Sequence, residues 1–263
     1  MRIVYWAAAL CMAWAAGAQA QPGGAEWPAK PVRVVVPFPA SGATDLVARV
    51  LAQRVGQELG QQFVIDNKPG AGGTIGAAEG AKGAPDGYTL LFTTSSTHAI
   101  SPHLMPKLPY RVDQDFTPIA HLADAASVLL VTPQLPVRNV QELVAYAKAH
   151  PGELNYASSG NGTIVHLNAA AFAARAGIKL THVPYKGTAL AITDLAAGQV
   201  HMLFDAIPTG MPHVASGRLR ALAVTGEKRS SLAPELPTIA ESGLPGYSSV
   251  TWFGLYGPAG MPA

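Results

Sequence analysis

Thiol chemistry is nearly absent from this sequence. Its 263 residues include a single cysteine, Cys11. Charge is also scarce. Asp, Glu, Lys and Arg make up 13% of the chain, about half the usual share of roughly 25%. Eighteen Lys and Arg stand against 16 Asp and Glu, a formal net charge of +2, with no basic stripe. A nucleic-acid binder needs such a stripe to displace counterions from phosphate, so that class is excluded. The 49% apolar content excludes a disordered chain. There is no 18-residue apolar run, no His-Glu-x-x-His and no Gly-x-Ser-x-Gly elbow. No metal and no cofactor is expected. What is plentiful is Gly (27) and Pro (22), a loop-rich complement in a chain long enough for one large or two modest domains.

The N-terminus reads as a targeting segment. Arg2 gives a positive start, residues 3–17 are an uncharged apolar run, and Ala18-Gln19-Ala20 has the small-x-small pattern of a cleavage site. Residues 1–20 are expected to be a signal peptide cleaved after Ala20. A membrane anchor is the alternative, but the run is shorter than the roughly 20 residues a span needs. Cleavage removes Arg2 and Cys11, leaving 17 basic and 16 acidic residues and no cysteine. That excludes disulfides, thiolate nucleophiles and Cys-ligated metal from the mature chain. A cysteine-free secreted body points to a bacterial periplasm.

The rest alternates strand and helix signals. Residues 32–36 are a β-branched strand, and residues 44–59 carry apolar side chains at helical spacing up to Gly60. Strands follow at 63–65 and 88–93, with an Ala-rich helix over 74–81 between them. In the second half, strands are expected at 127–131, 154–157, 179–183, 200–204 and 219–225. Helices are expected over 139–149, from the 158–163 loop to 176, over 188–197 and over 209–216. Asn139 and Glu142 form a capping box. Repeated βαβ units of this kind build parallel sheets with helices on both faces.

Two Ser/Gly turns stand out, each between a strand and a helix: residues 37–45 (PFPASGATD) and 158–163 (SSGNGT). A helix N-terminus presents free N–H groups and about half a positive charge, so such turns can hold a carboxylate or phosphate without Lys or Arg. They are equally readable as ordinary N-caps. Residues 70–76 (GAGGTIG) mimic a nucleotide loop, but Ile75 stands where the dinucleotide pattern needs Gly, and the P-loop ending is missing. That segment reads as a structural turn. His98 and His103, separated by Pro102, have poor metal-ligand spacing. His166 either bonds a ligand or satisfies its own loop. Lys186 either pairs with an anion or is solvated. Asp205 either accepts from a ligand donor or caps the next turn. A Ser159–His166–Asp205 relay would make the chain a secreted hydrolase, the main rival reading.

At these residues the chain resembles the Bug (TctC-type) family, periplasmic substrate-binding proteins of tripartite tricarboxylate transporters. The resemblance rests on residues 27–32 (WPAKPV), 37–45 with Arg49, 67–73 (NKPGAGG), 85–90 (PDGYTL), 155–163 (NYASSGNGT) and 182–187 (HVPYKG). It implies an α/β, two-lobed Venus-flytrap fold of type II, with mainly parallel sheets flanked by helices. Lobe one would span 21–126 and lobe two 127–250. The chain would cross into lobe two along 127–132 and return along 251–256, with 251–263 as the truncated return to lobe one. It further implies a small carboxylate held between Ala40, Ser41, Gly42, Ala43, Thr44 and Asp45 on one jaw and Ser158, Ser159, Gly160, Gly162, Thr163 and His166 on the other. Thr94 and Ser95 would add to the site, with Lys186, Gly187 and Asp205 at its rim. A monomer delivering ligand to transporter membrane subunits is the implied partnership, with no catalysis. Two departures are visible. Ser41 replaces the first Gly of a Gly-Gly pair. Family members also continue beyond this sequence's last residue with a largely helical stretch that covers lobe one, so part of lobe one is expected to be bare. A truncated remnant that binds nothing is therefore a third reading.

Overall fold

The structure is a computed structural model and describes residues 27–262; the expected signal peptide lies outside the described residues. Lobe one begins with β1 (Val32–Val36), α1 (Ala43–Leu59), β2 (Phe63–Asn67), α2 (Thr74–Ala81) and β3 (Thr89–Thr94). A π-helical turn (Ser96–Ile100) and the short α3 (Ser101–Leu104) follow. The 16-residue β4 (Phe116–Val131) then runs out of this lobe. Lobe two adds α4 (Val140–Ala149), β5 (Asn155–Ser158), α5 (Ile164–Ala176), β6 (Thr181–Pro184), α6 (Thr188–Ala196), β7 (Met202–Ala206), α7 (Ile207–Ala215) and β8 (Arg220–Val224). β9 (Val250–Pro258) returns to lobe one.

β4 joins the lobes by changing partners along its length. Phe116 to Ala126 pair with β9, while Ser127 to Val131 pair with β7 and β8. The strand order is β2-β1-β3-β9-β4-β7-β5-β6, with β8 also on β4. The expected parallel pairing is found within the βαβ units, β1 with β2 and β3, and β5 with β6 and β7. The two connecting strands pair antiparallel, so the sheet is mixed. Residues 116–126 carry no strand signal of their own: most are exposed or half-buried, and Pro118 interrupts them. Their extension comes from pairing with β9, more than a hundred residues later.

Alternation along the strands buries both sheet faces. In lobe two, Leu129, Met202 and Phe204 pack with Leu143 and Phe172 on one face. Val128, Leu130 and Leu203 pack with Ile192 and Leu195 on the other. Lobe one repeats the pattern, Val35 and Leu91 facing Ala77 and Tyr110, Val34 and Val36 facing Ala48 and Phe92. Leu46, Val50, Leu59 and Val64, on α1 and the edge strand β2, remain exposed. The Asn139 cap forms as read, its Oδ1 accepting from the Glu142 N–H at 2.8 Å, but the box does not close on Asn139: Glu142 Oε2 accepts from the N–H of Arg138, one residue earlier, at 2.7 Å.

Candidate functional site

Parallel strands place their C-terminal ends on one edge, where helix N-termini gather. Here the ends of β1 and β3 in lobe one face the ends of β5, β6 and β7 in lobe two. Between them lies a cavity of about 340 Å³. Four helices start at its wall. α1, α6 and α7 begin at Gly42, Gly187 and Ala206 with no side-chain cap, so first-turn N–H groups are left open, fewest on α7, where Pro208 has none to offer. α5 is capped by Thr163, which accepts from the His166 N–H at 3.4 Å. Uncapped positive dipole ends facing one cavity favour an anion there with few cationic side chains; those of α6 and α7 already face the Asp205 carboxyl, which leaves α1 as the free one.

From the first jaw, Ala40, Gly42, Ala43 and Thr44 line the cavity. Ser41 and Asp45 do not; they shape the loop. Ser41 holds a left-handed φ of 66°, where glycine is the usual occupant. Its N–H donates to Asp45 Oδ2 at 2.9 Å. Asp45 is 1% exposed and also accepts from Arg49 Nε and Asn67 Nδ2, both at 2.9 Å. Burial pushes this carboxyl upward, but the bonds from Arg49, Ser41 and Asn67 together hold it below its ordinary value.

Thr94 lines the cavity, whereas Ser95 is buried behind it, its Oγ without a partner among the described residues. Its neighbour Ser96 reaches the cavity instead. On the second jaw only Ser159 lines it. Ser158 is fully buried; its Oγ meets His182 Nε2 at 2.6 Å and also accepts from the Gly160 N–H. Gly160 faces Gly72 of lobe one in an adjoining groove, and Gly162 faces Leu104. His166 does not reach the cavity: its Nδ1 accepts from the Gly162 N–H at 3.1 Å, and its ring stacks on His182. The proposed relay is not assembled. Ser159 Oγ bonds Thr163 Oγ1, His166 bonds Gly162, and Asp205 bonds Thr209.

Lys186, Gly187 and Asp205 all line the cavity. Lys186 is exposed and in no ion pair among the described residues. Asp205 is 2% exposed. Burial pushes its carboxyl up to about 6, against hydrogen bonds from Thr209, Thr188 and the Ala206 N–H. Asp205 thus lies against the first turns of α6 and α7.

Sequence reasoning missed the apolar wall. Phe38, Ala125, Ala126, Val165, Leu190 and Phe253 line the cavity, as do Ser127, Thr188 and Thr251. Small apolar residues carry no chemical signature, and those of β4 and β9 enter through an unforeseen pairing. The Gly42-to-Thr44, Gly187-to-Thr188 and Ala206 positions share one legible signal, a strand leading directly or through a turn of at most six residues into an uncapped helix start.

A sheet shared by two lobes, with a cleft at its strand ends walled by helix N-termini, defines the class of two-lobed binding proteins. A family model described as "Tripartite tricarboxylate transporter family receptor" (TctC) matches residues 47–263. The chain belongs to this family, as the sequence resemblance had implied. It is 41% identical over 235 residues to BugT of Bordetella pertussis, a match covering 89% of this chain and 72% of BugT. Among solved structures it is 42% identical to Rpa4515 of R. palustris, determined with adipate, with a TM-score of 0.88 over 90% of this chain and 80% of that one. It is 37% identical to MatC of Rhodopseudomonas palustris, determined with bound malate, with a TM-score of 0.84 and the same coverage. No helix of the described residues is long and apolar enough to cross a membrane.

Proposed function

We propose that this protein is a periplasmic receptor that closes its two lobes around a small carboxylate and delivers it to the membrane subunits of a tripartite transporter. The observation that carries this reading is the interlobe cavity walled by uncapped helix N-termini, with that of α1 free to meet an anion. The adipate and malate found with two relatives support it. One carboxylate of the ligand meets the first-turn amides of α1, with the Thr94 and Ser159 hydroxyls around it, while the Ser96 hydroxyl is engaged by the Ile164 N–H. The body of the ligand packs on Leu190, Val165 and Phe253. Lys186 adds one mobile positive charge at the rim. Closure removes water from the anion and strengthens each N–H contact. The ligand stabilises the closed state by its differential affinity, and the membrane subunits read that state. Binding, without covalent chemistry or cofactor, is the whole activity, and the monomer is the working unit.

Thermal unfolding against a panel of aliphatic mono- and dicarboxylates tests it. A ligand at a hundred times its Kd stabilises the folded state by about 2.7 kcal/mol, a clear rise in melting temperature. Mass spectrometry of ligand retained through purification would name the compound. A folded protein that no carboxylate stabilises, and that retains none, rules the reading out.

A further inference from the structure

Apart from the pairing of β4 with β9, one hydrogen bond joins the lobes among the described residues. The Ile164 N–H donates to the Ser96 hydroxyl at 3.1 Å. No ion pair among the described residues crosses the cleft: those of Arg33, Arg49, Lys68, Arg111 and His121 stay within lobe one, and that of Arg229 within lobe two. Elsewhere the lobes approach at glycines, Gly72 facing Asn161 and Gly160, Gly187 facing Pro39, and Gly162 facing Leu104.

Both partners in this bond are held in place. Ser96 is 2% exposed and opens the π-helical turn after β3; its own carbonyl accepts from Ser101 Oγ at 2.8 Å. Ile164 is the first residue of α5, so its N–H has no partner inside the helix. The helix cap, Thr163, serves His166 instead. The Ile164 N–H is therefore satisfied by Ser96 when the lobes meet and by water when they part.

We propose that Ser96 is a positioning residue that latches the closed cleft by accepting from the α5 N-terminus, and so sets how long a bound ligand stays. It acts through Ile164 and is not the group that selects the ligand. This inference rests on the receptor reading above.

The test is a double-mutant cycle with adipate as the probe. Ser96→Ala removes the acceptor. Ile164→Pro removes the donor at a helix position that tolerates proline. Thr163, at φ −79° and ψ 162°, already has the backbone that proline requires before it. Ile164→Ala controls for the lost side chain. A net hydrogen bond of ordinary strength predicts an adipate off-rate raised about three- to tenfold by Ser96→Ala, and by Ile164→Pro relative to Ile164→Ala. On-rates and preference between mono- and dicarboxylates stay as in the wild type, and the double variant is no worse than either single one. Additive effects, an unchanged off-rate or an altered ligand preference each overturn the latch. If the wild type does not bind adipate, the same proteins are compared ligand-free by small-angle X-ray scattering. An equal rise in radius of gyration for Ser96→Ala and Ile164→Pro supports the latch, and identical curves for all variants overturn it. Absence of carboxylate binding by the wild type counts against the receptor reading alone.

Discussion

The imidazole rings of His166 and His182 lie 4.0 Å apart with their planes 4° from parallel, and the Tyr156 ring sits beside the pair, 4.9 Å from His182 and 6.1 Å from His166. His182 Nε2 also holds Ser158 at the start of the second jaw. Two stacked rings in a half-buried site disfavour a charge on either. Burial, reinforced by the neighbouring His166, pushes His182 down to about 4. The unfolded chain, with histidine near 6.5, binds more protons between those values, so folding stability falls as pH drops from 6.5 towards 4.

His182→Gln is therefore expected to flatten the acid limb of the stability curve. The wild type should lose on the order of 1–2 kcal/mol more than this variant between pH 7 and pH 4.5. Urea titrations at a series of pH values measure it. Parallel acid limbs would show that the stack does not titrate as described.

Asp205 has the opposite sign. Its carboxyl binds its proton more tightly in the folded protein, at about 6, than an ordinary aspartate near 3.8. Its ionisation therefore costs stability, and that cost grows as pH rises from 3.8 through 6. Asp205→Asn keeps an acceptor for Thr209 and Thr188 and removes the charge. The variant should exceed the wild type by on the order of 2 kcal/mol at pH 7.5, with the advantage fading below pH 5. Calorimetry at the two pH values is sufficient, and an advantage independent of pH would exclude this account.

Ser41 sits in a backbone region that costs an L-residue about 1–2 kcal/mol, where glycine enters freely. Glycine's extra freedom in the unfolded chain offsets part of the gain. Ser41→Gly should raise stability by up to about 1 kcal/mol, read from the urea midpoint. The Ser41 N–H bond to Asp45 is kept, so ligand affinity should change little.

Gly72 and Gly177 share left-handed backbones, φ 66° and 62°, but only Gly72 faces the opposite lobe. A methyl group there would lie 3.0 Å from the Asn161 carbonyl, while one at Gly177 meets nothing within 4 Å. Alanine at either position should lower stability by a similar amount, about 1 kcal/mol. Only Gly72→Ala should also weaken ligand binding, because it obstructs closure. Isothermal titration of the two variants separates backbone strain from the obstruction, and equal affinities would remove Gly72 from the closure contact.

Much of the architecture was legible from periodicity and punctuation. The β-branched run of β1, the apolar spacing of α1 and the cap at Asn139 depend on neighbours within one or two turns. Such local signals survive without tertiary context. β4 was not legible over its first eleven residues, because its extension depends on β9. The chemically marked cavity residues, Thr44, Ser159, Lys186 and Asp205, were found by their place after a strand. Their neighbours Ser158 and His166 had the same signature, yet they turn away from the cavity to build the stacked support behind it.

The order of strands and helices, the near-absence of thiol chemistry and the two Ser/Gly turns belong to the sequence alone, because composition and short-range spacing determine them. Which of those turns' groups face the cavity, which apolar residues complete its wall, and that Ser96 rather than Ser95 meets α5 were decided by tertiary structure. The physical reason is that neighbouring residues point to different sides. A one-residue difference in direction separates a buried hydroxyl from one that reaches across the cleft, and only the packing of two lobes on a shared strand selects between them.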